Sequence, residues 1–489
     1  MAQPTANPYP PYLLYALVFF SGFANLAAEI IGPRMFASLF GTTTAVWAIM
    51  ISVTLTGLSV GYALGGRITR DQIDAWLPRL LLANAAWLLL VSWIVWELPA
   101  SVVAAESRIG PGTIITTAML AFFPPSLMFG MVSPMTITLL NTHKSEQDSH
   151  VTGNVFAIST IGSVAGALMA AFYLIPWIGL SLSMRLFAVG LILFALVIWN
   201  NSRRWWLLPG LLLCFIVPQP DWVWSSPAGL DLLAQREGYY QTIRVYGDDD
   251  HIWMHLGPSF HSRLNRVTGE PDFSYAVTLL DIIEDLIPDL TDKQVLIIGG
   301  AGHGLAHAME NRGAQVTEVE IDPIVVALSD EYFGEIQGRV VLQDGRVFVE
   351  QADANRYDLV LVDVFDGAAN VPPQFTTVEF FRAVEQVLKP DGILGYNFIG
   401  TPEGERSRSF RALTTTMAAV FDHVGANDRT GTSSQNILLA AANRPLTDAQ
   451  LVSVPTDGHL LTDDLNPIEV FTQEARDFIY FRREADTLP

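Results

Sequence analysis

Two carboxylates three residues apart, Asp363 and Asp366, follow an apolar run in YDLVLVDVFDG. An acid where a buried strand runs out can hold a cation and take a proton from it. Two neighbouring acids also raise one another's pKa, which suits one of them to act as a base. Upstream, GGAGHG (299–304) follows the apolar QVLII, and its glycines let a ligand approach the backbone at a helix start. Glu320 closes the next apolar stretch about 20 residues on, where an acid accepts hydrogen bonds from both hydroxyls of a ribose. Asp344-Gly345 closes the one after that, placed to reach an adenine edge. No GKS or GKT follows the glycines, so this is no phosphate-cradling P-loop. The pattern points to a nucleoside-bearing cofactor, of dinucleotide or S-adenosyl type, beside an acid pair suited to an amine.

Each of these residues also has a plainer reading. Asp363 could cap the following loop, Asp366 could form the turn before Gly367, and His303 reads as an exposed loop histidine. His251, His255 and His261 lack a fixed ligand spacing, and Cys214 is the single cysteine, so no metal site and no disulfide framework are expected.

From residue 294 onward strands alternate with helices, the pattern of an open, mostly parallel sheet with right-handed crossovers. Ligands bind such sheets at the carboxyl ends of the strands, where every residue above lies. A helix is predicted over 273–289, and before it YYQTIRVYGDD and HIWMHLGPSF predict a β-hairpin. The Pro-, Trp- and Ser-rich stretch 218–236 reads as a linker.

The chain before it is of another kind. Residues 1–220 hold 9 Lys and Arg against 7 Asp and Glu, whereas the rest hold 19 against 42. Half of all 489 residues are apolar, and the mean hydropathy is +0.33. Runs at 12–32, 44–66, 77–97, 113–141, 151–177 and 183–200 are long enough to cross a bilayer as helices. A seventh, 205–217, is short and contains Pro209. Gly57, Gly61 and Gly65, and again Gly162 and Gly166, recur every fourth residue as helix-packing seams. Glu29 lies inside the first run, either as a functional group or as a structural partner of Arg34. Arg67, Arg70, Arg79, Lys144, Arg203 and Arg204 fall in alternate loops and place those loops, and the N-terminus, on the cytoplasmic side. Six spans keep the acidic half cytoplasmic; seven would export it. An acidic half disfavours nucleic acid and suits a cationic substrate.

VLIIGG, VTEVEIDP, the Asp-Gly of LQDGRVF and the DxxD of VDVFDG, in this order, resemble the polyamine aminopropyltransferases, the spermidine synthase family, over about residues 236–445. GPRMFASLFGTTTA, GGRITR and LTDDLNP are similar to the bacterial form fused to an N-terminal multi-span domain. The resemblance implies a multi-span α-helical membrane domain (1–217), the linker (218–236), a small β domain (237–272), an α/β Rossmann-like domain of the S-adenosylmethionine methyltransferase type (273–445) and a C-terminal extension (446–489). It implies that Gln241, Glu320, Asp344 and Gly345 hold the adenosine, with Gly299 and Gly300 giving close approach. Tyr275 would line the pocket, Asp363 would take the proton of the attacking amine, and Asp366 would anchor the cationic acceptor.

The implied reaction moves an aminopropyl group from decarboxylated S-adenosylmethionine to an amine such as putrescine and releases methylthioadenosine, without metal. The implied partners are the lipid bilayer, a small cationic amine and further copies of the chain, but no nucleic acid. The implied place is the inner (cell) membrane, with the catalytic domain cytoplasmic. The residues leave two alternatives open: methyl or other alkyl transfer from S-adenosylmethionine to a membrane-delivered amine, and a non-catalytic polyamine sensor or transporter. The chain also departs from the family. Where the family's loop reads GGGDG, with the Asp gripping the donor's amine, this chain has Gly302; the usual Asp-Gly and Gln before the helix are Gly257-Pro258 and His261, and the usual Tyr-His-Glu is Tyr275-Ala276-Val277.

Overall fold

The computed structural model describes residues 9–40, 43–94, 111–141, 147–199, 229–238, 240–257, 259–365, 371–431, 435–446 and 451–475. It divides into two compact units, Met1–Ser225 and Ser226–Pro489. The seventh apolar run, with Cys214, and Asp366 lie outside the described residues.

The first unit holds α1 (Pro11–Phe40), α2 (Thr44–Gly65), α3 (Arg70–Ile94), α4 (Pro111–Leu140), α5 (Gln147–Met169, running on as a π-helix over Ala170–Ile178) and α6 (Leu180–Ile198). Six stretches within them, at the six predicted places, are long and apolar enough to cross a membrane. The glycine repeats are contact seams. A Cβ on Gly65 would stand 2.7 Å from the Met131 carbonyl of α4, and one on Gly57 2.9 Å from that of Phe123. Gly162 and Gly166 of α5 lie in the same way against the Phe19 and Phe23 carbonyls of α1. Helix α4 contains Pro124, Pro125 and Pro134, and at Pro125 a neighbouring helix supplies the missing donor. Pro125 cannot donate to the Ala121 carbonyl, and Trp87 Nε1 of α3 does so instead, at 3.2 Å. Glu29 is buried in this unit.

The second unit begins with a four-stranded antiparallel sheet in the order β1 (Asp231–Glu237), β2 (Thr242–Gly247), β3 (His251–Leu256), β4 (Ser259–Asn265). The predicted hairpin is its β2–β3 pair, with Ile243 opposite Leu256. The expected linker 218–236 is corrected at its end, since from Asp231 it is strand. Only Ala234 of β1 is buried, so this edge strand is held by its ladder to β2 and leaves no apolar alternation in the sequence.

The helix α7 (Ser274–Leu286) leads into a second sheet, of eight strands. Its parallel part comprises β5 (Gln294–Ile298), β6 (Gln315–Glu320), β7 (Arg339–Leu342), β8 (Tyr357–Val362) and β9 (Leu388–Gly400). Between them run α8 (Gly304–Asn311), α9 (Pro323–Phe333), α10 (Gly345–Gln351) and α11 (Val378–Val387). After α12 (Arg408–Ala418), β10 (His423–Asn427), β11 (Gln435–Ala442) and β12 (Leu451–Ser453) complete the sheet in antiparallel pairs, and α13 (Ile468–Ala475) follows.

The strand order is β12-β10-β11-β9-β8-β5-β6-β7. From β5 the chain winds one way through β6 and β7, and from β8 the other way to β9, so the sheet reverses between β5 and β8. That reversal opens a crevice beyond the carboxyl ends of the two strands. Residues 295–298 and 359–362 are unbroken apolar runs because both faces of these strands are covered. Val295, Ile297, Leu359 and Leu361 enter the core under α7 and α8, while Leu296, Ile298, Val360 and Val362 enter the one with Phe380, Phe381, Leu413 and Met417. The expected boundary at 445 is corrected too: β12 extends the sheet, Leu461 is fully buried, and the Leu461 carbonyl accepts the Val378 N–H at 3.0 Å.

Candidate active site

Ile298 of β5 and Val362 of β8 are paired, so the residues after them, Gly299 and Asp363, emerge side by side at the reversal point. Gly299 has φ +88° and lies so close to the Asp363 carbonyl that a Cβ would collide with it. Gly300 is likewise closed off by the Glu318 carboxyl group. The two glycines are therefore required first by the chain's own packing, whatever they leave open to a ligand.

Asp363 is held from two sides. Asn397 Nδ2 donates to Oδ1 at 2.9 Å, and the Tyr275 hydroxyl lies 3.1 Å from Oδ2 and 3.2 Å from the His261 carbonyl. Asn397 in turn accepts from Asn436 Nδ2 at 3.0 Å. Burial pushes the Asp363 carboxyl up to about 6, and the bonds from Asn397 and Tyr275 moderate the rise. A carboxylate so placed is ionised at neutral pH and more basic than one in water. These groups, with Gly299, Gly300 and Glu318, line a cavity of about 110 Å³.

Glu320 stands beside this cavity rather than in its lining. Its carboxylate accepts the N–H groups of Gly300 (3.3 Å), Ile321 (2.8 Å) and Asp322 (2.9 Å), and burial pushes it up to about 7 against them. Asp344 is next along the strand ends, since Gln343 N–H donates to the Glu320 carbonyl at 3.0 Å. Its Oδ1 caps α10 through Arg346 N–H at 2.8 Å and Val347 N–H at 3.2 Å. Gly345 lies against Ile298 with no room for a side chain. In the loop after β1, Gln241 Oε1 is buried without a hydrogen-bond partner among the described residues. A buried acceptor left open in this way fits a ligand that brings a donor, as a nucleoside does.

The structure thus gathers Tyr275, Gly299, Gly300 and Asp363 round one cavity, and sets Glu320, Asp344 and Gly345 along the neighbouring strand ends. Three polar residues escaped the sequence reading. Asn397 is a lone amide in an apolar strand, Asn436 follows Gln435 at the start of another, and Glu318 is one of several polar positions in β6. His303 is corrected: it is buried, with φ +51°, its Nδ1 2.7 Å from Glu318 Oε1 and its Nε2 3.1 Å from Asp330 Oδ1. Burial alone would lower its pKa, but the two carboxylates hold it raised.

Residues 277–422 match the spermine/spermidine synthase domain. Polyamine aminopropyltransferase 1 of Streptomyces coelicolor is 25% identical over 449 residues, covering 79% of this chain and 77% of the relative. Polyamine aminopropyltransferase 2 of the same organism is 24% identical over 460 residues, covering 85% and 79%. The second unit is little more than half the chain, so both matches extend into the helical unit. An N-terminal histidine N-methyltransferase of Emericella nidulans is 29% identical over 130 residues, 26% of this chain and 23% of that one. With a spermine/spermidine synthase domain at residues 277–422 and likeness over most of its length to two polyamine aminopropyltransferases, the chain, which also carries an N-terminal helical unit, is a transferase.

Proposed function

We propose that the chain is a membrane-bound aminopropyltransferase that transfers the aminopropyl group of decarboxylated S-adenosylmethionine to a small amine such as putrescine. The observation that carries this reading is Asp363, a carboxylate of raised basicity fixed by Asn397 and Tyr275 at a cavity floor beside Gly299. Gln241, Glu320, Asp344 and Gly345 hold the adenosine, with Gly299 and Gly300 beneath it. Tyr275 orients Asp363 and lines the amine's path, and Asp366 anchors the acceptor's far cation.

The sulfonium brings its own leaving group, so the protein's part is alignment and proton transfer. The amine nitrogen forms a bond to the carbon beside sulfur, that carbon–sulfur bond breaks, and its electron pair stays on sulfur as the neutral thioether methylthioadenosine. The amine's proton passes to Asp363. The six apolar helices hold the chain in the inner membrane with the transferase unit in the cytoplasm, and copies of the chain associate. A second reading, methyl transfer to an amine with S-adenosylhomocysteine as product, is favoured by Gly302 standing where the family has its amine-gripping Asp, and by the methyltransferase relative.

Asp363→Asn tests the role of Asp363. It should lower turnover by about 10²- to 10⁴-fold, the usual contribution of a general base, while methylthioadenosine still binds. Undiminished turnover would contradict the assignment.

A further inference from the structure

Glu318 lines the same cavity as Asp363, yet no role in proton transfer falls to it. Its side chain is wholly buried; Oε1 is taken by His303, and Oε2 has no hydrogen-bond partner among the described residues. A carboxylate oxygen left open in a protein interior is costly, and one that faces a ligand cavity has its natural partner in that ligand. The carboxyl group occupies the space that a side chain on Gly300 would fill, so Gly300 is what allows it to stand at the cavity wall. His303 stands between Glu318 and Asp330; burial raises the Glu318 pKa and His303 counters the rise, as a cation at Oε2 would.

The loop that would otherwise carry an acid is closed to one. Gly302 has φ +72°, and a Cβ there would stand 2.7 Å from Ser262 Oγ. Among the described residues the cavity therefore has acids on two walls, Asp363 after β8 and Glu318 on β6, and none on the glycine loop.

We infer that Glu318 Oε2 binds the primary ammonium of the donor's aminopropyl chain, with His303 as the positioning residue that fixes the carboxylate. This rests on the aminopropyltransferase reading of the site, and it makes Glu318 the residue that separates a decarboxylated donor from one whose chain ends in an amino acid. A carboxylate on the donor would meet Glu318 as a like charge and be rejected.

The test is binding to the full chain in detergent, by calorimetry, of two ligands: decarboxylated S-adenosylmethionine, which has the ammonium, and methylthioadenosine, which lacks it. Glu318→Gln should weaken the first by roughly 10-fold or more, the effect of losing a charge-assisted hydrogen bond, and leave the second within about twofold. Glu318→Asp keeps the charge but withdraws it by one methylene. It should show a smaller loss of the same selectivity, and it serves if the Gln variant does not fold. Equal affinities of variant and wild type for the donor, or equal losses for both ligands, would overturn the role of Glu318 while leaving the aminopropyltransferase reading standing. A wild-type chain that binds methylthioadenosine but not the decarboxylated donor would overturn both.

Discussion

Tyr275 and Asn397 each give Asp363 one hydrogen bond, and both bonds favour the ionised carboxylate. Tyr275→Phe removes one of them and so raises the Asp363 pKa above about 6. The base works only when deprotonated, so the acidic limb of the kcat/KM profile should move upward. One such bond is worth about 0.5–1.5 kcal/mol, which corresponds to roughly half to one pH unit. A limb that stays in place, or moves down, contradicts the arrangement. Asp363 was legible in the sequence because an acid directly after LVLV has no use in a buried strand. Asn397, Asn436 and Glu318 were not, because each reaches the cavity only through pairings across the sheet: Asn397 lies one residue beyond the Val362–Tyr396 pair, and Glu318 lies opposite Ile297. His303 misled for a related reason. Its neighbours in sequence are glycines, and its partners come from β6 and α9.

At the scale of elements, the segment LTDDLNP ties the C-terminal chain to the rim of the site. Asp463 pairs with Arg346 on α10, whose other contacts include Glu350, the Gln374 carbonyl and the Thr377 hydroxyl. Asn466 Nδ2 donates to the Pro373 carbonyl at 2.8 Å. Residues 373–377, on the connection that carries the chain on from Asp363, are thus held by Arg346 and by this segment. Leu461 anchors the segment in a small core with Ala412, Ile468 and Phe471. Leu461→Ala should cost about 2–5 kcal/mol of unfolding free energy of the second unit, read from denaturant titration of the full chain. A loss under about 0.5 kcal/mol would mean that the tail is an appendage after all. The regular strand–helix alternation from 294 to 398 could be read from hydrophobic period alone, since β5 and β8 are apolar on both faces. The edge strands β1 and β12 could not, because they bury almost nothing and exist through their partners' open ladders.

At the scale of the whole molecule, the proposed six crossings would return the chain to the side on which it began. Under the proposed topology, with the basic loops on the cytoplasmic side, the transferase unit is expected there as well. A fluorescent protein fused to the C-terminus should therefore fluoresce in bacteria, and an alkaline phosphatase fused at the same point should be inactive. An active phosphatase would require a seventh crossing at 205–217 and would separate the enzyme from a cytoplasmic donor. The order of the two units and the number of apolar runs were plain in the sequence, because composition changes sharply near residue 220. Purified full-length protein incubated with either decarboxylated or ordinary S-adenosylmethionine, and a panel of small amines, reports on the chemistry through its thioether product. Methylthioadenosine formed from the decarboxylated donor, in step with an aminopropylated amine, is the predicted result; S-adenosylhomocysteine formed from the ordinary donor, with no turnover of the decarboxylated one, would contradict it.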